Sequence, residues 1–415
     1  MKILLFLFFT VLINSVIWTI TVPMWHTPDE QSHFAQLEYY VEQKTLIIDD
    51  QYNLSAEIAQ SEQLLGTRRD NRGNNKFTYH PEYKLPASRS FEGIYERTIN
   101  SYPISQRSQM VDREAAMYSP VYYLLAAPLY LQGYNLGLID RLFVSRILSI
   151  LVHVILAVVV YIFGRKLWGG TVLPVSLVVL VSLQPMISFV AAGFHPDNLL
   201  FLLYTLAILI SLLIIRNGVR WSYLLLLAIT VYLGWQTKIF MGFLFPTIVA
   251  LLLHQFLYSR SKLLALIVGM GTLLVPILVL IIQLPLPFVP LVSNTSPLRN
   301  YSLFEYLKFR VPKMAFEVWP WYWGVFKWLG VVLPLPVLRV ITRVTLLIIV
   351  GMTIWAGKNI FKRPVPFTTR ATLFLILVSV TYVAYLLVWD WRNMQVAGFS
   401  VGIQGRYLLP AVAAH

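Results

Sequence analysis

Two adjacent carboxylates, Asp29 and Glu30, stand between two histidines, His26 and His33, in the stretch VPMWHTPDEQSHF. This stretch directly follows an apolar N-terminal segment, so its ionisable side chains are expected at a membrane surface. A carboxylate held rigidly there could act as a general base toward the hydroxyl group of a substrate. The sequence therefore makes Asp29, with Glu30 beside it, the candidate catalytic residue.

Two other interpretations of the same stretch remain open. A capping box would place Thr27 at the helix N-cap, Pro28 at the first helical position and Glu30 at the third, a purely structural role. Alternatively, His26, His33 and one carboxylate are spaced three to four residues apart, and one helix face could then carry a metal site. Two histidines with a carboxylate suit Zn²⁺ or Mn²⁺. A divalent metal ion is thus the one cofactor that these residues suggest.

Further ionisable residues stand where apolar segments begin or end. His195 and Asp197 lie in the sequence HPDN, Lys238 separates two consecutive apolar segments, and Arg406 with Tyr407 begins the last one. Cations near membrane depth could bind the phosphate of a lipid carrier, and arginine can do so with two parallel hydrogen bonds. The structural alternatives are cations that reach toward lipid headgroups and an aspartate that complements a helix dipole.

The composition indicates an all-α polytopic membrane protein. Of the 415 residues, 57% are hydrophobic and 13% are charged, and apolar segments of spanning length recur along the chain. The net charge of +14 suits basic loops against anionic membrane lipids, and no nucleic acid is expected as a partner. The chain has no cysteine and no glycine-rich nucleotide loop, so an energy-rich donor is expected to arrive through the membrane.

We expect about ten transmembrane helices and a large first extracytoplasmic loop. The predicted spans after the first anchor cover about 142–163, 171–191, 197–215, 221–236, 239–257, 262–284, 338–356 and 370–389. The corresponding regions are a first anchor at 1–22, an extracytoplasmic loop with interfacial helices at 23–141, a six-helix core at 142–284, an aromatic-rich extracytoplasmic loop at 285–336 and C-terminal helices at 337–415. A last helix is predicted from Arg406, and because it is too short to span before His415, we expect the chain to be incomplete.

The orientation depends on the apolar segment at 119–133, which as a helix reaches only about 22 Å against a hydrocarbon core of about 30 Å. We predict that it is interfacial or re-entrant. The outer connections then carry three basic residues, and the inner elements carry eleven: Lys2, Arg165, Lys166, Arg216, Arg220, Arg260, Lys262, Lys358, Lys362, Arg363 and Arg370. The positive-inside rule favours this arrangement. It places Asp29, His195, Lys238 and Arg406 on one outer face.

Several short motifs resemble a known family. They are P-x-x-x-x-P-D-E-x-x-H-F from Pro23, S-P-x-Y-Y from Ser119, H-P-D from His195 and Q-G-R-Y-L-L-P from Gln404. Together they resemble the bacterial membrane proteins called domain of unknown function 2142. That family is similar in plan to C-type glycosyltransferases (GT-C), such as protein mannosyltransferases. One departure is Lys327, which stands where the resemblance leads us to expect glycine.

The resemblance implies a GT-C-like fold, a lipid-linked sugar as co-substrate and a catalytic carboxylate in the first outer loop, here Asp29 with Glu30 beside it. The resulting expectation is an inverting glycosyltransferase, multi-pass in the bacterial plasma (inner) membrane, with an extracytoplasmic active face. Its partners would be a polyprenyl-phosphate sugar donor, membrane lipids and a glycan or other cell-envelope acceptor. A transporter or flippase of lipid-linked saccharides and a non-catalytic envelope-assembly membrane protein are the alternatives.

Overall fold

The computed structural model describes residues 2–49, 51–70, 73–83, 89–112, 118–258, 302–328, 330–360, 365–397 and 402–415. Within these ranges the chain is mostly α-helical, and its short strands form two small antiparallel pairs. The expected class, a helical membrane protein, agrees with this architecture.

The elements up to residue 258 are mostly helices. The helices are α1 Lys2–Thr21, α2 Glu30–Glu42, α3 Ala56–Leu65, α4 Arg89–Asn100, α5 Val121–Gln132, α6 Leu138–Trp168, α7 Val172–Ser182, α8 Pro185–Ala192, α9 Asp197–Asn217, α10 Trp221–Trp235 and α11 Phe245–Tyr258. This part also contains strands β1 Tyr52–Ser55 and β2 Met110–Asp112 and the 3-10 helices Ile104–Arg107 and Ile239–Leu244. The later elements are α12 Leu303–Trp323, β3 Val325–Phe326, β4 Val331–Val332, α13 Leu335–Ile360, α14 Phe367–Ala397 and the 3-10 helix Gly405–Ala411.

Five of the described helices, namely α1, α6, α9, α13 and α14, are long and apolar enough to cross a membrane. α7 and α8 together pass as a sixth span, bent by 57° at a break that contains Gln184. Pro185 explains the break, because its ring cannot continue the preceding helix. The expected ten spans are not reached within the described ranges: α10 and Ile239–Gln255 are apolar but shorter. The predicted span at 262–284 lies outside those ranges.

The chain between α1 and α6 forms a small subdomain, where a large first loop was predicted. β1 and β2 pair antiparallel, and α2 packs on α5 through the rings of Phe34 and Tyr130, whose centroids are 5.8 Å apart. α5 has 12 residues and is not a candidate span, which agrees with the prediction for 119–133. The predicted boundary at residue 141 falls inside α6, which begins at Leu138.

The predicted loop over 285–336 contains the long helix α12, which begins with a capping box between Ser302 and Glu305. The hairpin of β3 and β4 follows it. In its turn, Lys327 and Trp328 have φ angles of 52° and 49°. Glycine is favoured in this left-handed region, which accounts physically for the glycine expected at Lys327. The first part of the predicted loop, up to residue 301, is outside the described ranges.

The last predicted helix is wrong in type, because the segment that begins at Gly405 is a 3-10 helix rather than an α-helix. Pro410 lies inside it and lacks the N–H that an α-helix would use there. The segment packs against α9, α12 and α14. Tyr382 of α14 fixes it by donating a hydrogen bond of 2.6 Å to the carbonyl of Tyr407. The side chain of Arg406 is therefore carried by a tightly packed turn.

Basic side chains and the candidate site lie at opposite ends of the helices. At what we call the basic end, Arg216 near the end of α9 donates a 2.9 Å hydrogen bond to the carbonyl of Lys166 in α6 and covers the ring of Phe367 at the start of α14. At the opposite end, here the site end, α1 and α10 end and α6 and α9 begin. α9 alone spans about 31 Å between the two ends.

Candidate functional site

The turn before α2 has strained backbone geometry. Asp29 has a φ of 56° and makes no side-chain cap, while Trp25 has a φ of 62°. The hydroxyl of Thr27 is buried, has no hydrogen-bond partner within the described ranges and packs where a Cβ on Gly193 would have to sit. The predicted capping box is therefore wrong: α2 begins only at Glu30, and tertiary packing sets the turn. Such strain in non-glycine residues is concentrated at functional sites.

Glu30, predicted as a second candidate base, forms a buried ion pair with Arg146 of α6. Both oxygens accept 2.7 Å hydrogen bonds from the guanidinium, and they also accept the backbone N–H groups of Phe194 at 2.8 Å and Trp25 at 3.1 Å. Neither charged side chain is exposed. Arg146 also donates to three carbonyl groups at the end of α1. The pair thus joins α1, α2, α6 and the α8–α9 turn, and Glu30 has no oxygen free for a substrate.

Asp29 points away from this pair and lies between two arginines. Its Oδ1 accepts a 2.9 Å hydrogen bond from Arg69, and its Oδ2 accepts one of 2.5 Å from Arg406. Arg69 is itself held by a hydrogen bond to Ser32. The side chain of Asp29 remains 33% exposed. Burial by itself would raise the pKa of Asp29, but Arg406 and then Arg69 outweigh it and hold the pKa well below its usual range.

A second carboxylate and a third cation lie beside this group. Lys238, which follows α10, contacts Oδ1 of Asp197 at 2.6 Å, outside ideal hydrogen-bond geometry. The ammonium group of Lys238 also lies 5.0 Å from the ring centroid of Tyr118. Lys238 and Asp197 are 6% and 4% exposed, so the pair is nearly dry. Burial, and then the charges of Asp29 and Asp197, raise the pKa of the Tyr118 hydroxyl, so Tyr118 lies near both ion pairs.

Two buried histidines from separate elements meet at this site. The Nε2 atoms of His33 in α2 and His195 before α9 are 3.2 Å apart. The backbone N–H of Asp197 donates to Nδ1 of His195, so a neutral His195 must carry its proton on Nε2 and donate it to His33. His33 then donates from Nδ1 to the hydroxyl of Tyr123 at 2.8 Å. Burial and the neighbouring groups lower the pKa of both histidines well below the usual value, so both are neutral.

Arg406 uses only part of its donor capacity. Its Nη2 bonds to Asp29, whereas its Nε and Nη1 are buried and have no hydrogen-bond partner among the described residues. The side chain is 4% exposed. The neighbouring Tyr407 packs its ring between Phe240 and Trp389, at centroid distances of 5.3 and 6.0 Å. Tyr407 therefore supports the site as a packed ring, next to an arginine that can still donate hydrogen bonds.

The residues suggested as metal ligands do not converge. His26 bonds through Nδ1 to the carbonyl of Met24 and stacks near Phe77, while Glu30 is paired with arginine and His33 faces His195. Across the described ranges, no group of three or more histidine, aspartate or glutamate side chains is arranged to hold a metal ion. The site geometry therefore gives no support to metal ligation by His26, His33 and the carboxylates.

The structure brings six of the sequence-derived candidates into one cluster: Asp29, His33, His195, Asp197, Lys238 and Arg406. Arg69, Tyr118 and Tyr123 belong to the same cluster but were not singled out from the sequence. Arg69 stands in a polar segment rich in asparagine, glutamine and arginine, and nothing local distinguishes it from Arg68. The two tyrosines belong to the region of the S-P-x-Y-Y motif, which was the available signal.

Apolar helices of spanning length, with a polar cluster at one end, define a multi-pass membrane protein. The family described as predicted membrane protein (DUF2142) matches residues 12–414, nearly the whole chain. The chain belongs to this family of membrane proteins, which confirms the resemblance drawn from its motifs. No curated protein and no solved structure matches the chain.

Proposed function

We propose that the protein is a GT-C-type integral membrane glycosyltransferase, which transfers a sugar from a polyprenyl-phosphate carrier to a cell-envelope acceptor. The observation that carries the proposal is the cluster at the site end: a partly exposed carboxylate, Asp29, beside the three cations Arg69, Arg406 and Lys238. A sugar phosphate needs cations for its leaving group, and an acceptor hydroxyl needs a base. The cluster offers both the cations and the base, and the Lys238–Asp197 pair in it is nearly dry.

In this mechanism Asp29 is the general base, and Glu30 keeps a structural role in its pair with Arg146. The acceptor hydroxyl oxygen attacks the anomeric carbon while its proton passes to Asp29. The bond between the anomeric carbon and the phosphate oxygen breaks, and the electron pair leaves with the phosphate. Arg406 and Lys238 stabilise the charge that develops there, and the single displacement inverts the anomeric configuration. Asp197 orients Lys238, and His195 lies beside this pair on the donor side.

The charge distribution supports an extracytoplasmic active face. Arg165, Lys166, Arg216, Arg220 and Arg370 lie near helix termini at the basic end, about 30 Å from the site. Short basic connections face the cytoplasm in multi-pass proteins. On that rule the site end faces outward, in a bacterial plasma membrane, where a lipid-linked donor can enter from the outer leaflet and the subdomain before α6 can bind an acceptor glycan.

A transporter of lipid-linked saccharides is the second candidate, and one observation favours it. Transporters place their substrates at interrupted helices, and α7 and α8 form such an interrupted pair, bent by 57°. The side chain of Gln184 caps α8 at this break and also donates to the carbonyl of Tyr322. This polar group therefore has protein partners, whereas Arg406 at the site end has two buried N–H groups without a partner among the described residues.

A transfer assay separates the two functions. Membranes containing full-length protein are supplied with radiolabelled polyprenyl-phosphate sugars, and Asp29→Asn is compared with wild type at equal membrane insertion. We expect transfer to fall by about 10²–10⁴-fold, the usual contribution of a general base. The matched control is Asp140→Asn, which removes one charge from an exposed position at the start of α6. Unchanged transfer by the Asp29 variant would refute its role, and wild type that transfers no donor would favour transport.

A further inference from the structure

In the resting structure Asp29 and Arg406 are bound to each other, although the proposed mechanism needs each of them for a different partner. Arg406 is needed by the donor phosphate, yet it is bound to Asp29. Asp29 is needed as a proton acceptor, yet it lies between two guanidinium groups. A carboxylate whose pKa is held so far below the usual range accepts protons poorly, because an efficient base has a pKa near the working pH. In the resting state, therefore, Arg406 is not available to the donor phosphate and Asp29 is not ready to accept a proton.

The two oxygens of Asp29 divide these contacts between them. Oδ1 bonds to Arg69, which is anchored on Ser32 in α2, the helix that directly follows Asp29. Oδ2 bonds to Arg406, which comes from the distant 3-10 segment after α14. Loss of the Arg406 contact would therefore leave Asp29 positioned by Arg69, with Oδ2 free. The carboxylate is also partly exposed, so an incoming hydroxyl can approach it.

Arg406 has the donor groups needed to change partners. Nε and Nη1 are buried and have no partner in the part of the chain that the structure describes, while Nη2 contacts Asp29. A phosphate group has several acceptor oxygens and can bind two guanidinium N–H groups in parallel. A phosphate that replaces the carboxylate at Arg406 would thus satisfy donors that Asp29 leaves unpaired.

Resting on the proposed function, we propose that the donor phosphate displaces Asp29 from Arg406, so that donor binding itself frees the carboxylate oxygen that receives the acceptor proton. Oδ2 of Asp29 is then the atom that accepts the proton. After transfer, the lipid phosphate leaves and Arg406 returns to Asp29. The restored ion pair favours the charged carboxylate, so the proton leaves Asp29 for solvent and the resting site is restored. The exchange makes base activation depend on the donor, and Arg69 is the positioning residue that holds Asp29 throughout.

A binding measurement tests the exchange without requiring transfer. Purified full-length protein in detergent is titrated with farnesyl phosphate, a short polyprenyl monophosphate, by calorimetry. We expect Asp29→Asn to bind this probe about tenfold more tightly than wild type, because Arg406 no longer has to be released first; the apparent affinity rises as the competent fraction rises. Asparagine is isosteric and tolerates the positive φ at this position. Asp29→Gly also suits this backbone and serves if the asparagine variant does not fold.

Two controls show whether the gain in affinity for farnesyl phosphate depends on Arg406. The gain should vanish in Asp29→Asn combined with Arg406→Gln, which should bind as weakly as Arg406→Gln alone, a double-mutant cycle. Asp140→Asn, with the same loss of charge elsewhere, should bind like wild type. If Asp29→Asn binds no more tightly than wild type, or gains equally without Arg406, the exchange is overturned while the proposed function stands. If no variant binds farnesyl phosphate, the donor site fails, and both proposals fail with it.

Discussion

Replacing Glu30 by glutamine keeps the size of a fully buried side chain and removes its negative charge. In the protein, each carboxylate oxygen accepts one hydrogen bond from Arg146 and one from a backbone N–H group. Glutamine has one acceptor oxygen and one NH₂ group. The NH₂ group would face two donors, so half of these hydrogen bonds would be lost and the guanidinium of Arg146 would stay buried without a counter-charge.

The expected cost follows from this geometry. Removing one partner of a buried ion pair destabilises a protein by about 3–5 kcal/mol, because the remaining charge is left uncompensated in a dry environment. The matched control is Glu96→Gln on α4, where the side chain is exposed; surface changes of this kind stay within about 0.5 kcal/mol. Glu30→Gln should therefore be distinctly less stable than wild type and Glu96→Gln should not.

The assay is unfolding in mixed detergent micelles, followed by circular dichroism, together with the transfer assay at a temperature where Glu30→Gln remains folded. At that temperature we expect Glu30→Gln to retain transfer, in contrast to Asp29→Asn. If Glu30→Gln were as stable as Glu96→Gln and had lost transfer, Glu30 would take part in the reaction. The assignment of separate roles to the two adjacent carboxylates would then be wrong.

Three further predictions concern other parts of the structure. Burial raises the pKa of Glu62 to about 7 in the folded protein, whereas its pKa in the unfolded chain is about 4.3. Between these two pH values, only the folded state holds the proton. Stability should fall as the pH rises through this window, and thermal unfolding should show no such fall for Glu62→Gln. Gly405→Ala should lower the free energy of unfolding by about 1–3 kcal/mol and displace Arg406, because the new Cβ would collide with the backbone of α12. The affinity for farnesyl phosphate should fall in parallel, and an unchanged affinity would contradict this. Tyr123→Phe should lower the free energy of unfolding by about 1–3 kcal/mol in the same assay, because the Nδ1–H of His33 would lose its acceptor. Unaltered stability would contradict this buried hydrogen bond.

The sequence predicted some elements of the fold well and others badly, for identifiable reasons. Long apolar segments such as α6 and α9 were found because a continuous run of hydrophobic residues suffices to indicate a span. The break between α7 and α8 was missed, since Pro185 lies inside an apolar run that reads as continuous. The capping box at Thr27 failed because a capping motif describes only local hydrogen bonds, whereas Glu30 is drawn to Arg146, 116 residues further along the chain.

By itself, the sequence determined the class of protein, its family and six of the residues in the candidate site. Hydrophobic periods, charge counts and short motifs are local properties, so they can be read without coordinates. Only the tertiary structure decided which of two adjacent carboxylates faces the site, because residues 29 and 30 point in different directions from a strained turn. It alone also paired Asp29 with Arg69 and Arg406, since an ion pair depends on distances between elements that sequence spacing does not encode.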